Sequence, residues 1–307
     1  MKTISLPNRN KGFTLIELLV AMTITVILLG VLVYMTGISM DTYRNSRDEV
    51  RASRQAKEAL STISKDFESM ISRRDGNNYE WLYAGQESGN QGPTGNEIPN
   101  TSRLIFFTGA TDRYNGDIGG TNDEGGDVSA VSYRLVFRDQ IGDTEDDRFA
   151  VFSLYRHLVD PDEAFDYLAV TDLDSTFDST NDLASENFLV ENIYEFTVTF
   201  VIEVTVPSTS GASVTHTVRA SMKPGALTEF RIKGSALDYT GTLQVPSGSG
   251  LSEDQIKSGR VVGVDIAMTV LTDVGLTLSK RLGSTAWEKE RGKHMHHFSK
   301  SISVPRS

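Results

Sequence analysis

An acidic residue, Glu17, lies near the start of the most apolar segment of the chain, which runs from Phe13 to Met40. A carboxylate inside an apolar membrane helix is costly, and it therefore needs a partner. The neighbouring residues offer none. Cleavage after Gly12 creates one, because Phe13 then carries a free α-amino group, which has a pKa of about 8 in model peptides. That ammonium lies about 6 Å from Glu17 along a helix axis, and on a neighbouring copy it can pair more closely. These residues therefore indicate cleavage followed by side-by-side packing of helices.

The apolar segment is long enough to cross a membrane. As a helix it measures about 40 Å, which spans the hydrocarbon core of a bilayer with some tilt. A secretory signal peptide has a shorter apolar core and is cleaved after it. Lys2, Arg9 and Lys11 favour a cytoplasmic location for residues 1–12. We therefore expect a leader at residues 1–12, one membrane-spanning helix and a body beyond the membrane. A plain signal anchor is the alternative, and it explains the length but not the acidic residue.

Residues 11–20 read KGFTLIELLV and resemble the cleavage and methylation motif of type IV prepilins and type II secretion pseudopilins. The resemblance covers about the first 40 residues. It implies that a prepilin peptidase cuts between Gly12 and Phe13 and methylates the new amino group of Phe13. It also implies that Glu17 is the carboxylate that registers each subunit in a helical filament.

Composition restricts the function of the remaining chain. Cysteine is absent, which excludes disulfide bonds, thiol catalysis and cysteine metal sites. The net formal charge is −11; residues 75–279 hold −20, which the basic leader and the regions 41–74 and 280–307 partly offset. An acidic surface repels nucleic acid and anionic lipid. We therefore do not expect nucleic acid as a partner. We expect this part of the chain to form a soluble extracytoplasmic domain.

The helix is expected to continue past the membrane as an amphipathic helix over residues 41–75, reaching about Arg74. Apolar residues recur there every three or four positions, which is the spacing of one helix face. The residues of this face are Ala56, Leu60, Ile63, Phe67 and Ile71. The sequence DGNN at residues 75–78 then predicts a turn. The apolar face of the helix requires a sheet to pack against.

Residues 76–307 are expected to form a β-rich extracytoplasmic domain with acidic loops. Segments rich in aromatic and β-branched residues predict strands at 79–84, 103–108, 130–138, 148–157, 188–206, 213–221 and 260–273. The segment 188–206 is long enough for two strands or one bent strand. Residues 160–186 and 234–259 are expected to be loops, and 274–307 to be partly helical with a terminal strand. In the segment 260–273, one face holds Val262, Val264, Ile266, Met268 and Val270. A long helix followed by antiparallel strands predicts an α+β fold, and the resemblance implies the same pilin-like architecture.

Within that family, the large strand-rich body resembles the J-type minor pseudopilins of type II secretion. The residues that carry this likeness are Ala59-Leu60, Lys65-Asp66-Phe67, Leu154-Tyr155-Arg156 and Leu189-Val190-Glu191. The likeness implies a single-pass inner-membrane protein with its C-terminal domain in the periplasm, at or near the tip of a short filament. The implied partners are other minor and major pseudopilins, the inner-membrane assembly platform and the secreted substrate. A minor type IV pilin in pilus assembly, adhesion or DNA uptake is the alternative.

Two groups of residues are candidate metal ligands. Closely spaced carboxylates suit calcium, and they are Asp172, Asp174, Asp178 and Asp182 in one loop and Asp117, Asp123 and Asp127 in another. Neither group has the spacing of an EF-hand, and a solvated loop is the alternative. Neighbouring histidines suit a transition metal, and they are His294, His296 and His297. A flexible basic tail is the interpretation that we favour for the histidines.

Catalytic motifs are missing from the sequence. It contains no G-x-S-x-G, no H-E-x-x-H and no phosphate-binding glycine loop. We therefore expect a protein that is not an enzyme and that has no cofactor other than the candidate calcium. A membrane-anchored hydrolase is a further alternative, which requires a pocket with clustered titratable side chains.

Overall fold

The computed structural model describes most of the chain. The residues described are 12, 14–86, 91–98, 100, 103–109, 127–139, 148–207, 213–223 and 225–305. The chain divides into a unit that ends at Val50 and a second unit that begins at Arg51. A single helix, α1 (Leu15–Glu68), supplies the described part of the first unit except Gly12 and Thr14, and it also supplies the beginning of the second unit.

From Leu15 to Met40, α1 is apolar around its whole circumference. Its large apolar side chains from Leu15 to Met40 are all exposed. Among the described helices, α1 alone is long and apolar enough to cross a membrane, with a mean hydropathy of 2.7 in its most apolar window. A helix that is apolar all round is typical of a membrane span, and this one fits a single-pass anchor.

The second unit contains short helices and many strands. Its described strands are β1 (Met70–Ile71), β2 (Glu80–Gly85), β3 (Arg103–Thr108), β4 (Ser129–Arg138), β5 (Val151–Leu158), β6 (Phe188–Glu191), β7 (Ile193–Pro207), β8 (Ser213–Ser221), β9 (Leu227–Lys233), β10 (Leu237–Gly241), β11 (Arg260–Leu271) and β12 (Met295–Ser303). Its described helices are α2 (Pro161–Ala164), α3 (Leu173–Thr176), α4 (Glu253–Lys257), α5 (Asp273–Arg281) and α6 (Ser284–Glu290).

These strands form two sheets in which every pairing is antiparallel. The larger sheet has the order β10-β9-β2-β3-β4-β5-β6, and β1 pairs with β3 beside it. The smaller sheet has the order β12-β11-β7-β8. The α+β fold class expected from the sequence is therefore confirmed.

The amphipathic face of α1 is buried in the core of the second unit. Ala56, Ile63 and Phe67 are fully buried, and the Phe67 ring stacks on Phe106 of β3 at 4.4 Å between centroids. The helix ends at Glu68, before residues 69–75 that the sequence analysis assigns to it. It ends there because the chain turns to form β1, whose residues pair with β3.

Several elements differ from the sequence prediction. Residues 188–206, predicted as two strands or one bent strand, form two strands, which separate at Asn192, a residue with a φ of 65°. The differences lie elsewhere. The strands β9 and β10 and the helix α4 lie in segments for which no strand or helix is predicted. In β11 the pairing with β7 shifts between Val261 and Gly263, so that Val261 rather than Val262 is buried.

Candidate functional site at the start of the apolar helix

The first turn of α1 is closed by two residues that cap each other. The Glu17 backbone N–H donates to the Thr14 Oγ1 at 3.3 Å. In return, the Thr14 backbone N–H and the Thr14 hydroxyl both donate to Oε2 of Glu17 at 2.9 Å. This is the reciprocal capping box T-x-x-E, which satisfies donors that a helix start leaves free. Glu17 therefore has a local partner, and the expectation that the chain offers none nearby is wrong.

The cap determines where the negative charge lies. It holds the Glu17 carboxylate against the first turn, where a negative charge also interacts favourably with the helix dipole. Gly12 is exposed just before this turn. Phe13 lies outside the described residues, so the predicted pairing of its amino group with Glu17 stays a prediction.

Polar groups within the apolar part of α1 are satisfied inside the helix. The hydroxyls of Thr23, Thr25 and Thr36 each donate to the backbone carbonyl four residues earlier, at 2.8 Å. An unpaired hydroxyl in hydrocarbon is unfavourable, and these bonds remove that cost. The side surface of this segment is therefore apolar, and its charged group is at one end.

A buried ion pair attaches the other end of α1 to the larger sheet. Arg156 of β5 contacts both carboxylate oxygens of Asp66, with Nε–Oδ2 and Nη2–Oδ1 distances of 2.8 Å. The Tyr133 hydroxyl donates to the same carboxylate. The Thr108 hydroxyl donates to the backbone carbonyl of Asp66 at 3.0 Å. The helix end is therefore fixed by polar contacts as well as by its apolar face.

The start of the second unit is also tied to its sheets. The guanidinium of Arg51 contacts Asp273 at 2.6 Å and also pairs with Glu191. Asp273 in turn accepts a hydrogen bond from the Asn192 side chain at 3.1 Å. These contacts join α1 to β6 and to the first turn of α5.

The structure does not gather the four aspartates of the first calcium candidate into one site. Asp172 caps α3 and contacts Arg231 at 3.1 Å, Asp174 contacts Arg103 at 2.7 Å, and Asp178 bonds to Thr180. Asp182 is buried and lies 3.0 Å from Nδ1 of His157. Among the described residues, no group of three or more His, Asp or Glu side chains is arranged to hold a metal.

The second calcium candidate is described at one position. Asp127 is exposed at the start of the segment that leads into β4. Asp117 and Asp123 lie outside the described residues, so this candidate stays a prediction.

Arg231 also contacts a buried carboxylate in the larger sheet. Glu80 of β2 is 1% exposed and lies 3.0 Å from the Arg231 guanidinium. Burial raises the pKa of Glu80, and the hydrogen bond from the Leu173 N–H and the charge of Arg231 oppose that rise. Arg231 is therefore shared between Glu80, Asp172 and Glu229.

The three histidines lie in ordered structure. His296 and His297 belong to β12, and His294 immediately precedes that strand. Nδ1 of His297 is 2.8 Å from the Thr269 hydroxyl of β11. The interpretation of these residues as a flexible tail is wrong, because β12 pairs with β11 along its whole length.

Sequence reasoning missed two parts of this arrangement. The partner of Glu17 is detectable in the sequence, because Thr14 and Glu17 have the capping-box spacing. The pairing of Asp66 with Arg156 leaves no comparable pattern, since the two residues are 90 positions apart. The segments that contain these two residues resemble J-type minor pseudopilins in sequence, but nothing in the sequence predicts that they contact each other.

Comparison with known proteins gives one match. Residues 7–33 match the family model of the prokaryotic N-terminal methylation motif. No curated protein and no solved structure matches the chain. The matched segment contains Gly12, Phe13 and the capped Glu17. The motif indicates a type IV pilin- or pseudopilin-like protein that is processed by a prepilin peptidase and assembles with other pilin-like subunits.

Proposed function

We propose that this protein is a minor pseudopilin, a structural subunit at or near the tip of the short periplasmic filament of a type II secretion system. The observation that carries the proposal is the capped Glu17 at the start of an exposed apolar helix, within the matched methylation motif. In this proposal the protein is not an enzyme, and it acts by assembly.

The proposed mechanism begins with cleavage between Gly12 and Phe13. Cleavage exposes the amino group of Phe13, which the peptidase then methylates. The apolar surface of α1 packs against the helices of neighbouring subunits. The ammonium of one subunit pairs with the Glu17 carboxylate of the next, and the attraction is strong because the surroundings are apolar. This pair sets the axial register of the filament.

The size of the second unit supports the role of a minor subunit, and its charge argues against a role in DNA uptake. A strand-rich second unit of this size is large for a subunit that is repeated along a filament. Its acidic middle, with −20 over residues 75–279, argues against binding DNA. A minor type IV pilin has the same organisation and is the second candidate. Neighbouring genes distinguish the two, since a secretion ATPase with a secretin favours secretion and a retraction motor favours a pilus.

The test separates the two roles of Glu17. Glu17→Gln keeps a side chain that can accept the cap hydrogen bonds but removes the charge. Thr14→Ala removes the hydroxyl from the cap and keeps the charge. We expect Glu17→Gln to be processed and membrane-bound but absent from filaments, as judged by pull-down with the major subunit. We expect Thr14→Ala to be incorporated in reduced amount.

Normal incorporation of Glu17→Gln would contradict charge pairing. Loss of incorporation in Thr14→Ala alone would assign Glu17 a purely local role at the helix start. Membrane fractionation of each variant serves as the control for insertion.

A further inference from the structure

A groove lies between α1 and the edge strand β12 in the second unit. Its volume is about 450 Å³, and serines from both elements line it. Its apolar contacts are Leu60 of α1 and Phe298 of β12, and its charged residues are Lys57 and Lys300. Neither lysine forms an ion pair with any residue that the structure describes. The groove therefore combines two apolar side chains with two positive charges.

One wall of the groove is a strand with an open edge. β12 pairs with β11 in an unbroken register from Met295 to Ser303, and in the described chain it has no partner on its other side. Such an edge offers free backbone N–H and C=O groups to another strand. The opposite edge of the same sheet differs, because Gln244 bridges to Arg219 of β8 there.

Lys300 lies on the face of β12 that carries the buried side chains. In the register with β11 it stands opposite Ile266, which is fully buried, and two positions before the buried Ile302. Lys300 itself is exposed, and a charged side chain on an edge strand disfavours unselective pairing, because a partner without a matching charge pays a penalty for covering it. A partner that brings a carboxylate to this position removes that penalty. The lysine therefore makes the edge selective for acidic strands.

We propose that this groove binds an extended acidic segment of a partner protein, which pairs with β12 as a fifth strand of the smaller sheet. Alternate side chains of a strand point to one face. Acidic side chains on that face would meet Lys300 and Lys57, while an apolar one would pack on Phe298 and Leu60. A second copy of β12 fits poorly, because it would place the same lysine and histidines against this basic edge. The inference rests on the groove alone and holds for either filament.

The test uses the full-length protein in detergent micelles and three labelled nine-residue peptides. The first alternates valine and glutamate, the second alternates valine and lysine, and the third is the glutamate peptide with every backbone nitrogen methylated. We expect fluorescence anisotropy to show binding of the first peptide and weak or no binding of the other two. We also expect hydrogen exchange at the amides of β12 to slow when the first peptide binds.

The protein variants test the two lysines. We expect the double variant Lys57→Glu/Lys300→Glu to bind the glutamate peptide at least about tenfold more weakly, since two charge pairs are replaced by repulsions. Lys289→Glu reverses an exposed charge on α6, outside the groove, and we expect it to bind like the unchanged protein. The neutral double variant Lys57→Gln/Lys300→Gln removes the two charges with a smaller perturbation of the fold. We expect it also to bind the glutamate peptide more weakly than the unchanged protein does.

Three results would overturn the proposal. One is equal affinity of the unchanged protein and both double variants. Another is binding of the backbone-methylated peptide as tight as that of the unmethylated glutamate peptide, which would show attraction between charges without strand pairing. The third is slowed exchange at β8 in place of β12.

Discussion

Arg156 and Asp66 form a buried two-point ion pair that joins β5 to the last turns of α1. The side chains are 1% and 0% exposed, and both contacts measure 2.8 Å. Burial raises the pKa of Tyr133, which keeps its hydroxyl protonated and able to donate to Asp66. A buried charge pair of this kind is satisfied only while all its members are present.

Removing one member of this pair is expected to destabilise the second unit strongly. We expect Arg156→Met to lower the free energy of unfolding by about 3–5 kcal/mol, because Asp66 is left as an unpaired buried charge. Urea denaturation followed by the fluorescence of Trp81 and Trp287 measures this change. Arg54→Met alters an exposed arginine on the same helix and is expected to cost less than about 0.5 kcal/mol. Equal effects of the two variants would contradict the role of the pair.

The double variant Asp66→Leu/Arg156→Met is expected to be more stable than the sum of its single changes implies. It removes both charges together, so neither is left buried without a partner. The same urea titration checks this result, and strict additivity would show that the two residues act independently.

Glu80 predicts a pH dependence of stability. Because burial raises its pKa in the folded protein above the ordinary value of 4.5, the folded state binds more protons than the unfolded state above about pH 4.5. The contribution of Glu80 to stability is therefore present in full below that pH and is lost as the pH rises through the raised pKa. We expect Glu80→Gln to gain stability relative to the unchanged protein across this range, measured by urea denaturation at successive pH values. The exposed Glu58→Gln should show no such trend, and a pH-independent difference for Glu80→Gln would refute the prediction.

Processing can be tested at Gly12. A Cβ at this position meets no atom within 4 Å, so Gly12→Ala should not disturb the described fold. We expect this variant to keep its leader when produced with a prepilin peptidase, whereas the unchanged chain should yield a mature form that begins at N-methylated Phe13. Mass spectrometry of the intact protein distinguishes the forms. Gly30→Ala, also with no atom within 4 Å, is the matched control and should be processed normally.

The calcium candidates can be tested by adding and removing the ion. Asp174 pairs with Arg103 at 2.7 Å, and Asp172 with Arg231 at 3.1 Å. We expect Asp174→Asn to cost about 0.5–1 kcal/mol through loss of its partly exposed ion pair, with the same cost in excess calcium and in a chelator. A melting temperature that rises with calcium, and a rise that Asp174→Asn abolishes, would establish a calcium site instead.

The sequence predicts the N-terminal segment best because its pattern is local. Gly12, Phe13 and Glu17 lie within six positions, and the apolar run follows without a break. Among the strands, Arg103–Thr108 and Ser213–Ser221 have the predicted bounds. Both contain the alternating or β-branched residues that suit a strand, and both are bounded by loop segments.

The parts that sequence reasoning missed depend on partners distant in the chain. β9 contains the alternation Glu229-Phe230-Arg231-Ile232-Lys233, which is detectable, but its central Arg231 has partners on β2 and at the N-cap of α3. The bulge near Val261 changes which face is buried, and it exists only through pairing with β7. The pair of Asp66 and Arg156 likewise follows from the folded sheet and not from spacing.

The threonine hydroxyls of α1 have a consequence for the subunit before it assembles. Since Thr23, Thr25 and Thr36 already bond within the helix, the solitary helix presents no unpaired hydroxyl to lipid tails from these residues. An unassembled copy can therefore remain dissolved in the bilayer, and its recruitment requires no rearrangement of these side chains. Such a helix therefore permits a pool of membrane-resident monomers that are available for assembly.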